Sequence, residues 1–163
     1  MTEKEMFLNA WQREFGTTMK ILKQLPADKA GFKPAAAKAR SAQELASVFI
    51  QELSVVDGVV KGKIEFNAAM PSFSSFGDLL KEYDSKHREM VTKVQAMSDA
   101  SLNETVAAPV GPKQRAQVRR ADLPWLMLHD SIHRRGQCSV YLRRVGAKVP
   151  SIYGPSGDEA MAP

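Results

Sequence analysis

Four long stretches of this 163-residue chain repeat apolar residues at three- and four-residue steps, and this pattern constrains the fold more than any other feature. It is typical of amphipathic helices that each pack one face against a shared core. The stretches begin near Thr2, Ser41, Ser75 and Asp122. The pattern therefore predicts an all-α helix bundle that occupies residues 1–163 as a single domain.

Polar residues at the start of each stretch indicate where the helices begin. Thr2–Glu5, Ser41–Glu44 and Ser75–Asp78 have the spacing of capping boxes, in which a hydroxyl and an acidic side chain satisfy free backbone amides. Asp122 is expected to cap the fourth helix. A glycine that follows two arginines, Gly146, marks its predicted end.

Two links between the predicted helices are long. Residues 26–40 and 98–121 are expected to hold irregular structure or to cross the bundle, with a basic loop from Lys113 to Arg120. The tail from Val149 to Pro163 contains three prolines and two glycines. It is expected to wrap the bundle or to fray from it.

The net charge of +5 is concentrated late in the chain, where nine Lys or Arg residues between Lys113 and Lys148 face only Asp122 and Asp130. Such a segment attracts anions. Because no aromatic residue interleaves with the basic ones from Lys113 to Arg120, we expect no nucleic-acid partner.

The sequence also favours a cytoplasmic protein with no membrane association. Its apolar runs are shorter than the roughly 18–20 residues that span a bilayer, and its first residues lack the order of a signal peptide. The single cysteine, Cys138, excludes an intrachain disulfide and fits a reducing compartment.

His129 and His133 form the pattern most suggestive of chemistry, because residues four apart lie one turn apart on the same face of a helix. Two such imidazoles can share one divalent metal ion. We expect the pair on the inner face of the last helix, in line with Leu126 and Val140. The alternative is that the pair lies at the rim. His87, in a strongly charged stretch, is expected to face solvent.

The region around the histidine pair resembles the last helix and the tail of the DinB/YfiT-like family. The resemblance rests on Leu128–Arg143, on Gly146–Glu159, and on the run Glu44–Ala46 with Asp57–Gly58 upstream. It implies a four-helix bundle with up-down-down-up connectivity, often assembled as a homodimer.

Members of this family typically bind a divalent metal through three histidines. The resemblance places two of them at His129 and His133, whereas the first position holds Val48, which cannot ligate a metal. Glu52, one turn further along the second helix, is the candidate replacement, and Gln51 is a weaker one. A two-histidine, one-carboxylate site would suit Ni, Zn, Fe or Mn. The alternative is a site that has decayed.

The resemblance further implies a stress-response role and a metal-dependent transfer or hydrolysis on a small electrophilic substrate, with a low-molecular-weight thiol as co-substrate. Arg134, Arg135 and Arg143 are candidates to hold an anionic thiol, or are exposed charges. The alternative function is a non-catalytic, dimeric ligand-binding or scaffold protein.

Overall fold

The computed structural model describes residues 1–35, 38–64 and 69–160, and these are mostly helical. Residues 36–37 of the first long link and 161–163 of the predicted tail lie outside the described residues. The helices and strands are α1 Glu3–Leu22, α2 Ala42–Lys61, α3 Phe76–Ala96, α4 Asp99–Asn103, β1 Thr105–Gly111, β2 Gln114–Arg119 and α5 Asp122–Arg144.

The starts of the first two helices are as predicted. Thr2 and Ser41 each form a complete capping box with the glutamate three residues later. Ser75 also caps α3 through the amide of Asp78, but the Asp78 carboxylate accepts bonds from serine hydroxyls instead of reaching back to the backbone. The sequence pattern therefore located three helix starts correctly.

The start of α5 differs by one residue from the prediction. Its N-cap is Ala121, which makes no side-chain cap, and Asp122 is the first helical residue. The Asp122 carboxylate instead accepts hydrogen bonds from Arg119. An acid in the first turn still stabilises the positive end of the helix dipole.

The second long link contains a β-hairpin that the sequence analysis did not predict. β1 and β2 pair antiparallel, and Lys113 in the turn adopts a left-handed backbone with φ of 61°. The predicted basic loop is therefore mostly β2, and the all-α expectation is corrected to a mostly helical fold with a two-stranded sheet. Alternation was hard to read because the buried residues of β1 are a single valine and a small alanine, Val106 and Ala108.

The four long helices pack on one another in pairs. α2 contacts α5 and α3, and α1 contacts the same two helices. α2 contributes the largest set of buried residues, so its inward side chains lie at the centre of the molecule. The up-down-down-up connectivity remains a prediction. Within the described ranges, no helix is both long and apolar enough to cross a bilayer.

Candidate functional site

The two histidines of α5 lie on the surface. His129 and His133 are exposed, and so are Leu126 (53%) and Val140 (60%) on the same stripe. We call these four residues the outer α5 face. The expectation that this stripe points inward was wrong, because the inward side of α5 carries polar residues such as Ser131 and Arg135 among its apolar ones. Hydrophobic periodicity alone cannot identify the inward face of a helix when that face includes buried polar residues.

Each histidine makes one local contact. The ring of His129 lies 6.4 Å from the ring of Trp125, measured between centroids. His133 Nε2 lies 3.1 Å from Gln137 Nε2. Both imidazoles are therefore accessible from solvent, and each contacts a neighbour on its own helix.

Glu52 of α2 is buried at the contact between α2 and α5. Its side chain is buried, with 4% of its surface exposed. Arg134 donates from Nε to Glu52 Oε1 at 3.2 Å and to Asp130 Oδ2 at 2.8 Å. One guanidinium from α5 thus joins a buried carboxyl of α2 to a half-buried carboxylate of its own helix.

The surroundings of Glu52 raise its pKa and favour the protonated carboxyl. Burial raises its pKa to about 9, helped by the negative charge of Asp130 and a hydrogen bond between the two carboxyls, while Arg134 and Ser131 act in the opposite direction. Oε2 of Glu52 accepts no hydrogen bond from any of the residues that the structure describes. A protonated Glu52 resolves both facts, because its O–H donates to Asp130.

Glu52 belongs to a buried polar layer with one member from each long helix. Ser131 hydrogen-bonds Glu52 and Tyr83, and Thr18 also hydrogen-bonds Tyr83. Burial raises the pKa of Tyr83, so its phenol stays protonated. This layer was not predicted from the sequence. In the sequence, each of these polar residues falls at three- or four-residue steps from the buried apolar residues of its helix.

His87 is buried, which corrects the expectation that it faces solvent. Only 2% of it is exposed, and its ring stacks on Phe15 with centroids 3.6 Å apart. Burial lowers the pKa of His87 to about 4, so the ring is neutral at pH 7. Its Nε2 has no hydrogen-bond partner among the described residues. Because the residues next to His87 in the sequence are charged, the sequence did not indicate that its side chain packs in the core.

A second buried ion pair links α5 to α1 and to the tail. Arg135, with 2% exposed, donates to Glu14 Oε2 at 2.8 Å. The Tyr153 hydroxyl donates to the same oxygen at 2.5 Å and accepts a bond from Arg135. Arg13 adds a further donor to Glu14 Oε1. These donors lower the pKa of Glu14 against the opposing effect of burial.

The arginines proposed to hold an anionic thiol all have partners within the chain. Arg134 binds Glu52 and Asp130, and Arg135 binds Glu14. Arg143 pairs with a tail carboxylate, Asp158. Neither the anion-binding role nor the alternative of exposed charges describes Arg135, which is a buried structural residue.

The residues suggested as metal ligands do not converge. No three His, Cys, Asp or Glu side chains within residues 1–35, 38–64 and 69–160 come together in a way that could hold a metal ion. His129 and His133 face solvent, whereas Glu52 is buried and bonded to Arg134. These residues therefore do not fit the three-ligand site that the sequence suggested.

An open apolar groove lies at the N-terminal end of the outer α5 face. It has a volume of about 560 Å³ and lies between the hairpin and α5. Val110 of β1 and Leu126 of α5, both largely exposed, are among its lining residues. The groove continues the apolar part of the outer α5 face.

Comparison with known proteins places the chain in a family. The model of the DinB family matches residues 1–162. A DinB-like protein from Bacillus cereus has a similar structure, with a TM-score of 0.75 and 21% identity over 91% of this chain and 97% of that one. A DinB-like protein from Bacillus subtilis gives a TM-score of 0.70 and 18% identity, over 88% and 94% of the two chains. No curated protein matches the chain.

Proposed function

Because the chain belongs to the DinB family, we propose that it acts as a dimeric, non-catalytic member of that family, in which the outer α5 face binds a second copy. The observation that carries this proposal is the exposure of Leu126 and Val140 on one stripe of a long helix. Leu126 also lines the apolar groove beside the hairpin, and a contiguous exposed apolar surface of this kind is typical of one that a partner covers.

The ends of α5 favour a second copy as the partner. Asp122 lies in the first turn, and Arg143 and Arg144 lie in the last. A two-fold axis near His133 would run the two helices antiparallel, so that the acidic end of each helix meets the basic end of the other. The apolar end at Leu126 would then lie against the end at Val140, and antiparallel helix dipoles also attract.

The test is the mass of the protein in solution. We expect the wild-type chain to sediment as a dimer at micromolar concentration, and the double variant Leu126→Lys with Val140→Lys to sediment as a monomer. Two buried ammonium groups without partners would prevent association. Met6→Lys is the matched control, because Met6 is an exposed apolar residue on α1.

The control variant should remain a dimer, and helical circular dichroism should be the same for all three proteins. A wild-type monomer, or a double variant that remains a dimer, would contradict the proposal. Location in the cytoplasm belongs to the same proposal and is supported by the unpaired, buried Cys138.

A second candidate function is a metal-dependent enzyme that transfers a low-molecular-weight thiol to, or hydrolyses, a small electrophile. It is favoured by one observation: His129 and His133 lie one turn apart and are both accessible. Two imidazoles would hold a divalent ion with open positions, and such an ion activates bound water or thiol. Glu52 could join them only by leaving Arg134.

This second candidate is tested by metal analysis. Untagged protein is examined by plasma mass spectrometry beside His129→Ala. Close to one Ni, Zn, Fe or Mn per chain, lost in the variant, would support it and justify thiol-transfer assays. Metal-free protein after incubation with these ions would exclude it.

A further inference from the structure

The inward residues of α5 that face α2 are Asp130 and Arg134, not the two histidines. Asp130 and Arg134 are four residues apart and both approach Glu52 of α2. His129 and His133 precede them by one residue each, which rotates them by about 100° around the helix axis. The α5 side chains that face Glu52 are therefore a carboxylate and a guanidinium, not two imidazoles.

On α2, the position that the family resemblance assigned to the first metal-binding histidine holds Val48. It lies one turn before Glu52 and is buried. On α2, a buried apolar side chain thus stands one turn before the carboxyl that joins a carboxyl–guanidinium–carboxylate cluster with α5. We call Glu52, Asp130 and Arg134 the α2–α5 cluster.

We propose that Arg134 is a built-in cation of the α2–α5 cluster, which does from within the chain what a bound metal ion would do between these helices. It bridges an oxygen of Glu52 and an oxygen of Asp130 with a single nitrogen, at 3.2 and 2.8 Å. A divalent ion placed there would be repelled by the guanidinium and would find its carboxyl ligands already bound. The contact is therefore independent of metal, whether or not the chain dimerises.

Burial makes the cation necessary. The Glu52 side chain is 4% exposed and that of Arg134 is 21% exposed, so little water can replace the hydrogen bond between them. Without Arg134, the Asp130 carboxylate would lose the cation that pairs with it, and the buried Oε1 of Glu52 would lose a hydrogen-bond donor. Arg134 stabilises the contact by satisfying both, and a metal ion could replace it only after its removal.

The experiment compares metal binding before and after the cation is removed. Mn²⁺ is titrated into chelator-treated wild-type protein, Arg134→Gln and Arg134→Lys, with calorimetry and thermal unfolding as readouts. Mn²⁺ is chosen because it prefers carboxylate ligands. We expect no effect on the wild type or Arg134→Lys. We expect Arg134→Gln to lose roughly 5–10 °C in Tm and to recover part of this loss with Mn²⁺.

Arg88→Gln is the matched control, because Arg88 pairs with Asp84 at the same four-residue spacing on the exposed side of α3. Its removal should change Tm little and create no Mn²⁺ response. The double variant Glu52→Gln with Arg134→Gln should fold with a higher Tm than Arg134→Gln alone, and Mn²⁺ should not raise it. This double variant also keeps the test open if Arg134→Gln does not fold.

Two outcomes would overturn the proposal. One is stoichiometric metal binding by the wild-type protein that Glu52→Gln abolishes. The other is an Arg134→Gln variant that is as stable as the wild type and does not respond to Mn²⁺.

Discussion

Two buried glutamates, Glu14 and Glu52, each lie against an arginine of α5, yet their pKa values shift in opposite directions. Glu14 receives hydrogen bonds from Arg135, Tyr153 and Arg13, and its pKa is lowered. Glu52 shares Arg134 with a second carboxyl, Asp130, and its pKa is raised to about 9. Both residues are at most 5% exposed.

At Glu14, hydrogen bonds from Tyr153, Arg135 and Arg13 together outweigh the effect of burial on the pKa. At Glu52, burial is the largest cause of the raised pKa, Asp130 reinforces it, and Arg134 and Ser131 do not offset it. The consecutive residues Arg134 and Arg135 therefore have different roles. Arg135 completes a fully paired ion bridge, and Arg134 leaves a carboxyl proton in place.

The largest effect is expected from Arg135→Met, which leaves the Glu14 carboxylate buried without its main partner. Breaking a buried pair on one side should lower the free energy of unfolding by about 3–5 kcal/mol. Urea denaturation measures this loss. Arg13→Met is the control, because Arg13 is mostly exposed and should cost less than about 1 kcal/mol. Equal losses in the two variants would contradict the distinction.

The second prediction compares the stability of the Glu14→Gln and Glu52→Gln variants. Glu14→Gln removes a charged acceptor that Arg135 requires, and should cost about 2–3 kcal/mol of unfolding free energy. Glu52→Gln replaces a carboxyl that is already neutral, and should leave stability unchanged or raise it. The same urea experiment at pH 7.5 measures both, and a destabilised Glu52→Gln would show that this carboxyl is ionised in the folded protein.

The third prediction concerns pH. Between its ordinary pKa of 4.5 and its folded value of about 9, Glu52 binds more protons in the folded state than in the unfolded state. Stability from this group therefore falls as pH rises through that window, by up to about 1.4 kcal/mol per pH unit. The pKa of Glu14 is lowered, so its contribution is present above 4.5 and is lost as pH falls below it.

Unfolding free energies measured at pH 6, 7 and 8 test this dependence. The wild type should lose stability relative to Glu52→Gln as pH rises, while Glu14→Gln should parallel the wild type over this range. Parallel curves for the wild type and Glu52→Gln would refute the raised pKa.

The smallest effect is expected from Tyr153→Phe, which removes one of three donors to Glu14 and keeps the aromatic ring. We expect a loss of about 1 kcal/mol and a rise in the pKa of Glu14. Carboxyl chemical shifts followed by NMR report the pKa change. A Glu14 titration that is the same in both proteins would show that the tail does not contribute to this pair.

The helices were predictable because their information is local. Caps at Thr2, Ser41 and Ser75 and apolar steps of three and four residues are contained within single helices. The hairpin was not predictable from such patterns, since β1 and β2 are short and their stability depends on pairing with each other. The family was recognised from residues late in the chain and is confirmed by the match over residues 1–162.

The site was harder to predict because it depends on the rotation of α5 about its own axis. The histidine pair and the Asp130–Arg134 pair have the same four-residue spacing and are offset by one residue in the sequence. Because one residue corresponds to a rotation of about 100° around the helix axis, only one of the two pairs can face α2. His129 and His133 were singled out by residue type, whereas Arg134 was a candidate for anion binding or an exposed charge, and Asp130 was not considered for the site. Only the packed structure shows that the latter pair meets Glu52.

We propose that an internal guanidinium and a carboxyl proton, rather than a metal ion, hold the contact between α2 and α5. The decisive measurement is titration of the Glu52 side-chain carboxyl by NMR, together with addition of Zn²⁺ at pH 7, where this ion stays in solution. We predict that Glu52 titrates near pH 9 and that Zn²⁺ leaves its carboxyl chemical shift at pH 7 unchanged. A titration near pH 4.5, or a chemical shift at pH 7 that moves to the value of the ionised carboxylate on addition of Zn²⁺, would contradict the proposal.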